Sequence, residues 1–230
     1  MLQQTQAERV SPKYALFLHS FPNFEALARA KLQRVLEVWH GLGYNRRAIA
    51  LKKIAEVTVQ EFKKTLPSDY ATLVSLPGIG STTARAIRAF AFNIPEVFIE
   101  TNIRTVFIHV FFADGQGIKD ADIYPLVEQT LDRSNPRAWY YALMDYGVTL
   151  KKKYQNPSRQ SAHNRKQAPF KGSNRELRGR IISLITTNPG ITESELVRRL
   201  NSDPAPISLN LAKLEKEGFF KREHNEFRVD

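Results

Sequence analysis

The residues whose types and spacing best suggest chemistry lie in one short segment, Leu76-Pro77-Gly78-Ile79-Gly80-Ser81-Thr82-Thr83-Ala84. Gly78 and Gly80 permit backbone conformations that other residues resist. The segment predicts a turn that opens a helix, where unpaired N–H groups and the positive end of the helix dipole suit a phosphate. Ser81, Thr82 and Thr83 add hydroxyl groups there. Glycine-rich turns between helices are common, so this segment alone gives only moderate support for a phosphate site.

Apolar residues at helical spacing predict the elements that hold this turn. Little of the first 150 residues alternates with a period of two, so this part is predicted to be all-α. Ser68 or Asp69 is suited to cap the helix that precedes the turn. Further helices are predicted over residues 32–39, 46–64, 81–92, 102–112 and 139–150.

Residues 151–173 differ in composition from the rest of the chain. They contain many basic side chains and no acidic residue. Such a segment is typical of a linker or arm that lies along phosphates. A flexible, solvated connector is an equally good interpretation. Either way, the segment predicts a boundary with few crossing contacts between a domain over residues 1–150 and a second unit over residues 174–230.

Residues 174–230 predict a small winged-helix-like domain. Three predicted helices, over residues 175–186, 192–200 and 206–216, precede two short strands around His224-Asn225. The third helix of such a module usually enters the major groove of DNA. These modules also serve as platforms for protein partners. DNA contact is favoured because the predicted helix and wing carry Lys213, Lys216, Lys221 and Arg222.

Composition restricts the classes of partner and cofactor. The net charge of +11 over 230 residues favours a polyanion, most commonly nucleic acid, although basic residues also serve solubility. The chain has no cysteine, which excludes disulfides and iron–sulfur clusters held by thiolates, and we expect no metal or other cofactor. No membrane span or signal peptide is evident. We therefore expect a monomer in the cytoplasm, associated with the nucleoid.

Five stretches together resemble the adenine-specific mismatch DNA glycosylases, relatives of endonuclease III in the helix-hairpin-helix superfamily. They occur in the order of that family and at about its separations. The resemblance covers residues 1 to about 150 and implies a helix-hairpin-helix DNA glycosylase domain there. The stretches are Met1-Leu2-Gln3-Gln4-Thr5-Gln6, Trp39-His40-Gly41-Leu42-Gly43-Tyr44, the Leu76–Ala84 segment, Ile99-Glu100-Thr101-Asn102-Ile103-Arg104-Thr105-Val106 and Leu143-Met144-Asp145-Tyr146-Gly147.

The resemblance implies three residues that contact DNA at the lesion. Gln3 and Gln4 match residues that insert into the base stack. Tyr44 matches an aromatic residue that wedges beside the base opposite the flipped adenine. Extruding a base leaves a gap that a flat or amphipathic side chain can fill, which agrees with these roles. The alternative for Tyr44 is a half-buried core aromatic.

The resemblance also implies the chemistry. Glu100 aligns with the catalytic aspartate of the family, whose carboxylate stabilises an oxocarbenium-like sugar by the same logic as in glycoside hydrolysis. Asn102 matches a neighbouring polar residue of the adenine-specific branch. Thr82 lies where bifunctional lyases of the superfamily carry a Schiff-base lysine. Threonine cannot form that adduct, so hydrolysis by water is expected.

The chain departs from the family pattern in several ways. The general acid of the family, a glutamate, lies two residues before the position of Met1, so either the true start lies upstream or the active site is incomplete. Glu100 is one methylene longer than aspartate. No cluster cysteines follow Leu150. Residues 174–230 do not match the usual C-terminal domain, which reads 8-oxoguanine.

These observations predict a mainly α protein that binds duplex DNA with a mismatched or damaged base. The favoured function is a monofunctional DNA glycosylase of base-excision repair that acts on adenine opposite guanine or 8-oxoguanine. A catalytically impaired DNA-binding protein on the same scaffold is the alternative. A pyrimidine-directed glycosylase is a third interpretation.

Overall fold

A computed structural model describes residues 1–3, 5–164 and 168–230. The chain forms two compact units. The first combines Met1–Leu66 with Ala168–Asp230. The second is Pro67–Gln167, described as far as Asn164. The predicted fold class is confirmed, because the chain is mostly helical and carries one small sheet.

The first unit consists of two helical segments of the chain and the sheet. Asn23, Ser173 and Thr192 each cap the helix that follows them, through their side chains. The helices are α1 (Ala7–Ser20), α2 (Phe24–Arg29), α3 (Leu32–Trp39), α4 (Arg46–Glu61), α10 (Asn174–Thr187), α11 (Glu193–Leu200) and α12 (Pro204–Lys216). The strands are β1 (Ile191–Thr192), β2 (Lys221–Glu223) and β3 (Glu226–Arg228).

The C-terminal part of the first unit has winged-helix order. Its antiparallel sheet has the strand order β1-β3-β2, and Phe227 pairs with both Ile191 and Arg222. The sequence predicted β2 and β3. It did not predict β1, which has only two residues and obtains its hydrogen-bonding partners from β3.

One hydrophobic core runs through the whole first unit. It contains Trp39 and Val35 of α3 together with Ile181 and Ile185 of α10. The Gln33 side-chain amide also donates to the Thr186 carbonyl oxygen at 3.0 Å. The C-terminal module therefore packs directly on the N-terminal helices, although the basic segment predicted few contacts between these parts of the chain.

The second unit is helical and has its own core. Asp69 caps the first helix by accepting from the Thr72 N–H at 2.8 Å, and Asn135 caps the last. Tyr140 is buried at its centre and stacks on Phe98, with ring centroids 4.1 Å apart. The helices are α5 (Tyr70–Ser75), α6 (Ser81–Phe92), α7 (Thr101–Phe111), α8 (Asp120–Thr130) and α9 (Pro136–Lys153), followed by a 3₁₀ turn over Pro157–Gln160.

The basic segment is more structured than a free connector as far as it is described. Its first three lysines complete α9, and Pro157 and Ser158 are buried. Ser161 forms a β-bridge with Ile118, and the Ala162 N–H donates to the Ile118 carbonyl oxygen at 2.8 Å. The ranges 1–150, 151–173 and 174–230 remain a prediction about domains. The two compact units are defined by packing, and their boundaries differ from these ranges.

Among the residues that the structure describes, no helix is both long and apolar enough to cross a membrane.

Candidate nucleic-acid interface

The predicted phosphate-binding turn connects α5 and α6 in the second unit. Leu76 and Ile79 are buried and anchor it, and the Ile79 N–H donates to the Leu76 carbonyl oxygen. Gly78 has a φ of 75°, a left-handed conformation that favours glycine. Gly80, the N-cap of α6, has an ordinary extended backbone with a φ of −92°. The expectation of special backbone freedom therefore holds at Gly78 and is wrong at Gly80.

The protein leaves open space around Gly80. A Cβ built on Gly80 has no heavy atom of the described protein within 4 Å. Gly80 is exposed, and so are Ser81 and Thr82 in the first turn of α6. The N-cap residue, Gly80, has no side chain with which to cap this helix end. The first turn of α6 therefore presents its N–H groups at an open surface, which suits a phosphate.

Side chains from both hairpin helices surround this open helix end. The Tyr70 hydroxyl donates to Ser81 Oγ at 2.8 Å. The pKa of Tyr70 is lowered, because the Ser81 hydroxyl can donate in turn to the phenolate. The Arg85 guanidinium lies 5.4 Å from the centre of the Tyr70 ring, within cation–π range. Thr83 is partly buried in the same turn. Arg85 thus contributes a positive charge beside the hairpin.

Glu100 is the N-cap of α7 in the same unit. One carboxylate oxygen, Oε1, accepts from the backbone N–H groups of Asn102 and Ile103, the latter at 3.1 Å. A carboxylate is favoured at the positive end of a helix. The additional methylene of glutamate is accommodated because the side chain folds back on its own helix. Glu100 is partly buried, and its second oxygen, Oε2, is not used in the cap.

Asn102 lies in the first turn of α7, next to this carboxylate. Its Oδ1 accepts from Lys151 Nζ at 2.7 Å, and its Nδ2 lies 3.7 Å from Met144 Sδ. Both partners belong to α9, which packs along α7. The structure therefore brings Glu100 and Asn102 together and adds Lys151, which the sequence analysis had assigned only to the basic segment.

Two predicted lesion contacts, Gln3 and Tyr44, belong to the first unit and lie around Arg47. Tyr44 is exposed and adopts a φ of 48°. The Arg47 guanidinium lies 5.3 Å from the centre of the Tyr44 ring. Its Nη1 donates to the Gln3 carbonyl oxygen at 2.7 Å. Tyr44 keeps 42% of its surface exposed, and its role at the lesion stays a prediction. Gln4 lies outside the described residues.

Arg47 is a residue that the sequence analysis missed. It donates further bonds to the Met1 carbonyl oxygen and to Thr5 Oγ1, both at 3.0 Å, and also stacks on Trp39. The Trp39 indole in turn donates to the Gly43 carbonyl oxygen at 3.0 Å. A single arginine on a predicted helix carries no periodic signal, so only the folded chain shows that it connects the predicted lesion contacts.

The residues do not fit the thiolate-held iron–sulfur cluster of relatives, because the sequence contains no cysteine. Within the described ranges, no group of three or more histidine, aspartate or glutamate residues is arranged to hold a metal ion.

The sequence profile of the HhH-GPD superfamily base excision DNA repair proteins matches residues 1–132. This chain belongs to that superfamily. A second profile, for winged helix-turn-helix DNA-binding domains, matches residues 174–221. The first match includes the hairpin and Glu100, and the second covers most of the C-terminal module.

Several relatives of this superfamily member are adenine DNA glycosylases. That of Buchnera aphidicola subsp. Baizongia pistaciae is 36% identical over 154 residues, which cover 65% of this chain and 43% of the relative. That of Mycolicibacterium smegmatis is 42% identical over 106 residues, or 46% of this chain and 36% of the relative. The human protein is 32% identical over 154 residues, which cover 65% of this chain and 28% of the relative. The chain thus spans less than half the length of these three relatives.

Two solved structures share the fold. A thermostable thymine-DNA glycosylase superposes with a TM-score of 0.57 at 21% identity, covering 68% of this chain and 73% of the other. A trapped endonuclease III–DNA covalent intermediate superposes with a TM-score of 0.53 at 15% identity. The superposition covers 74% of this chain and 73% of the other. At these identities the likeness establishes the fold.

Proposed function

We propose that this chain is a monofunctional DNA glycosylase that acts as a monomer on nucleoid DNA. It hydrolyses the N-glycosidic bond of adenine paired with guanine or 8-oxoguanine. The observation that carries the proposal is the Glu100 carboxylate at the N-terminus of α7, within a chain of the base excision DNA repair superfamily. The adenine preference rests on the relatives.

Binding to duplex DNA begins at the hairpin. The open first turn of α6 receives a phosphate through its N–H groups and the hydroxyls of Ser81, Thr82 and Thr83. Gly80 leaves space for that phosphate to approach the backbone. The winged helix supplies a second DNA contact through its exposed basic residues, among them Lys213 and Lys216.

Recognition of the lesion uses the first unit. Flipping a base leaves a gap in the stack, and the exposed Tyr44 ring fills the space beside the opposite base, with Gln3 and Gln4 inserting nearby. Arg47 supports this arrangement because its guanidinium contacts both the Tyr44 ring and the Gln3 backbone. A rigid aromatic supported by a cation enters the stack at a low cost in conformational entropy.

The chemical step breaks the bond between C1′ of the deoxyribose and N9 of the flipped adenine. The bonding electrons leave with adenine, which takes up a proton, and positive charge develops on the sugar. The Glu100 carboxylate stabilises that charge while a water oxygen bonds to C1′. The hydroxyl of this water stays on the sugar, and the proton that it releases balances the proton that adenine takes up. Position 82 carries threonine, which cannot form an imine with the sugar, so the product is a free abasic site.

The test measures single-turnover excision from duplexes with adenine opposite guanine, adenine opposite 8-oxoguanine, and mispaired pyrimidines. The chain is expected to release adenine. Glu100→Gln should reduce the rate by on the order of 10²-fold or more, because it removes the charge that stabilises the transition state. Its amide oxygen still caps α7, so folding and duplex affinity should be retained.

Glu128→Gln is the matched control, since Glu128 is an exposed glutamate on α8 of the same unit. It should excise at the wild-type rate. Equal rates for Glu100→Gln and wild type would refute the role of Glu100. Tight duplex binding without excision of any base would favour the alternative of a DNA-binding protein, in which Glu100 serves only as a helix cap. Release of a pyrimidine would refute the adenine preference.

A further inference from the structure

Lys151 in the last turn of α9 differs from the two lysines that follow it. Its Nζ donates to Asn102 Oδ1 at 2.7 Å, and the side chain is partly buried. Lys152 and Lys153 are exposed. Lys151 therefore does not belong to the solvent-facing basic segment. Its ammonium instead lies at the N-terminal end of α7, where Glu100 caps the helix.

Gly147 allows α9 to approach α7 closely enough for this contact. A Cβ at position 147 would lie 2.7 Å from the Asn102 carbonyl oxygen and 2.8 Å from its Cβ. Any other residue would push the two helices apart. Gly147 and Lys151 are four residues apart, so they lie on the same face of α9. The glycine thus brings the helices together, and the lysine reaches along the same face to Asn102.

Asn102 connects the lysine to the carboxylate. Its Oδ1 faces the ammonium, its Nδ2 faces Met144 Sδ, and its backbone N–H donates to Glu100 Oε1. Without the ammonium, the amide would lose the bond that fixes its orientation. The hydrogen bonds of Asn102 therefore join Lys151 and Glu100 into one continuous polar network.

The charges around Lys151 point to coupling with Glu100. Burial lowers the pKa of Lys151, and the Glu100 carboxylate opposes this by raising it. Arg104, the other charged group of α7 that acts on Lys151, lowers its pKa. Arg104 is itself paired with Asp120 through two bonds of 2.7 and 2.8 Å. Glu100 is thus the carboxylate that favours the charged lysine.

We propose that Lys151 is a positioning residue of the Glu100 site, whose ammonium fixes the Asn102 amide and balances the charge of the Glu100 carboxylate. The role in excision rests on the proposed glycosylase function. Loss of the ammonium releases the Asn102 side chain and changes the surroundings of the carboxylate. A displacement of about 1 Å at a reacting centre can slow a reaction on the order of 10²-fold.

The first experiment compares adjacent lysines by single-turnover excision and duplex affinity. Lys151→Met should lower the excision rate constant by about 10- to 100-fold with little change in Kd. Lys152→Met is the matched control. Lys152 is exposed on the same helix, so this substitution should leave the rate constant unchanged. Weaker binding with an unchanged rate in Lys151→Met would overturn the proposal.

Lys151→Arg distinguishes positioning from simple packing. It keeps the positive charge and should recover part of the rate. The wild-type rate should fall as pH rises through the lowered pKa of Lys151, because the ammonium is lost. Arginine does not titrate in this range, so the alkaline fall should be absent in Lys151→Arg. The same alkaline fall in both proteins would contradict the proposed role.

The second experiment does not depend on activity. In the full chain with ¹³Cε-labelled lysine, the NMR signal missing from Lys151→Arg identifies Lys151. Its pKa should lie below the ordinary lysine value, and Glu100→Gln should lower it further by removing the opposing carboxylate. A Lys151 pKa at the ordinary lysine value, with no response to Glu100→Gln, overturns the proposal. If wild-type protein excises nothing, the proposed function fails, while this titration still decides whether Lys151 and Glu100 are coupled.

Discussion

At the residue scale, the Arg47 side chain makes several contacts that hold the N-terminal segment. Its guanidinium donates to the carbonyl oxygens of Met1 and Gln3 and to the Thr5 hydroxyl, and it stacks between aromatic rings. The planar fork of arginine can satisfy several acceptors at once, whereas the ammonium of lysine is a compact point charge. Arg47 therefore contributes several of the contacts that hold the N-terminal segment beside Tyr44.

Arg47→Met should lower the free energy of unfolding by about 2 kcal/mol, since it leaves several acceptors without their charged donor. Denaturant unfolding measures this change. Arg47→Lys should recover less than half of the loss because lysine lacks the fork. Lys53→Met, an exposed substitution on the same helix, should leave stability nearly unchanged. A full recovery by lysine would contradict the importance of the guanidinium geometry.

The hairpin between α5 and α6 is the clearest case at the scale of elements. The buried Leu76 and Ile79 fix the turn, and the left-handed Gly78 closes it. Gly80 meets neither a steric nor a conformational demand within the described protein. The approach of a phosphate to the end of α6, as proposed above, would make use of this open space.

Gly80→Asp should weaken binding to matched and mismatched duplexes alike while leaving the protein at least as stable. Aspartate is a good N-cap, so thermal unfolding should not occur at a lower temperature. Its charge would repel the phosphate expected at the helix end. Loss of one phosphate contact should also reduce the slope of log K against log salt concentration by about 0.9.

Ala138→Asp provides the control for Gly80→Asp, because it adds the same charge at an exposed first-turn position of α9 in the same unit. Its affinity for DNA should match that of wild type. Unchanged binding of Gly80→Asp to undamaged duplex would show that the hairpin does not anchor DNA.

At the scale of the whole molecule, the N-terminal helices and the C-terminal module share one core and a network of ion pairs. Glu217 accepts from Arg46 at 2.8 Å and from Arg178 at 2.6 Å, which connects α4, α10 and the end of α12. Burial acts to raise the pKa of Glu217, but the two arginines outweigh it and lower the pKa below its ordinary value.

Glu217→Gln should destabilise the protein at neutral pH, and the difference from wild type should shrink as the solution is acidified. A carboxyl with a lowered pKa contributes stability above its unfolded value of about 4.3 and loses it as pH falls through the folded value. Denaturant unfolding at pH 7, 5 and 3 measures this trend. A difference that stays constant with pH would show that the charge of Glu217 is not responsible.

Deletion of residues 174–230 should unfold much of the first unit. The basic segment had instead predicted a boundary with few contacts across it. The deletion removes Ile181 and Ile185 from the core around Trp39 and exposes that apolar surface to water. Hydrogen exchange should show loss of amide protection in α3 and α4, with protection retained in α7 and α9 of the second unit. Preserved protection in α3 would show that the N-terminal helices fold without the module.

The sequence by itself determined the local features. Gly78 and Gly80 predicted a turn that opens a helix, and the predicted helix over residues 81–92 agrees with α6. The order of helices and strands predicted the winged helix. Helix ends were less accurate. The helix predicted over residues 46–64 stops at Glu61, because Lys63 and Lys64 adopt left-handed backbone conformations.

Only the tertiary structure decided which distant residues meet. Lys151 pairs with Asn102 because Gly147 lets α9 approach α7, and a lysine in a basic run gives no sign of this contact. The core that joins Trp39 to Ile181 was equally hidden, since hydrophobic periodicity shows that a face is buried but not which element covers it. Local patterns depend on neighbouring residues, whereas these contacts depend on how the whole chain packs.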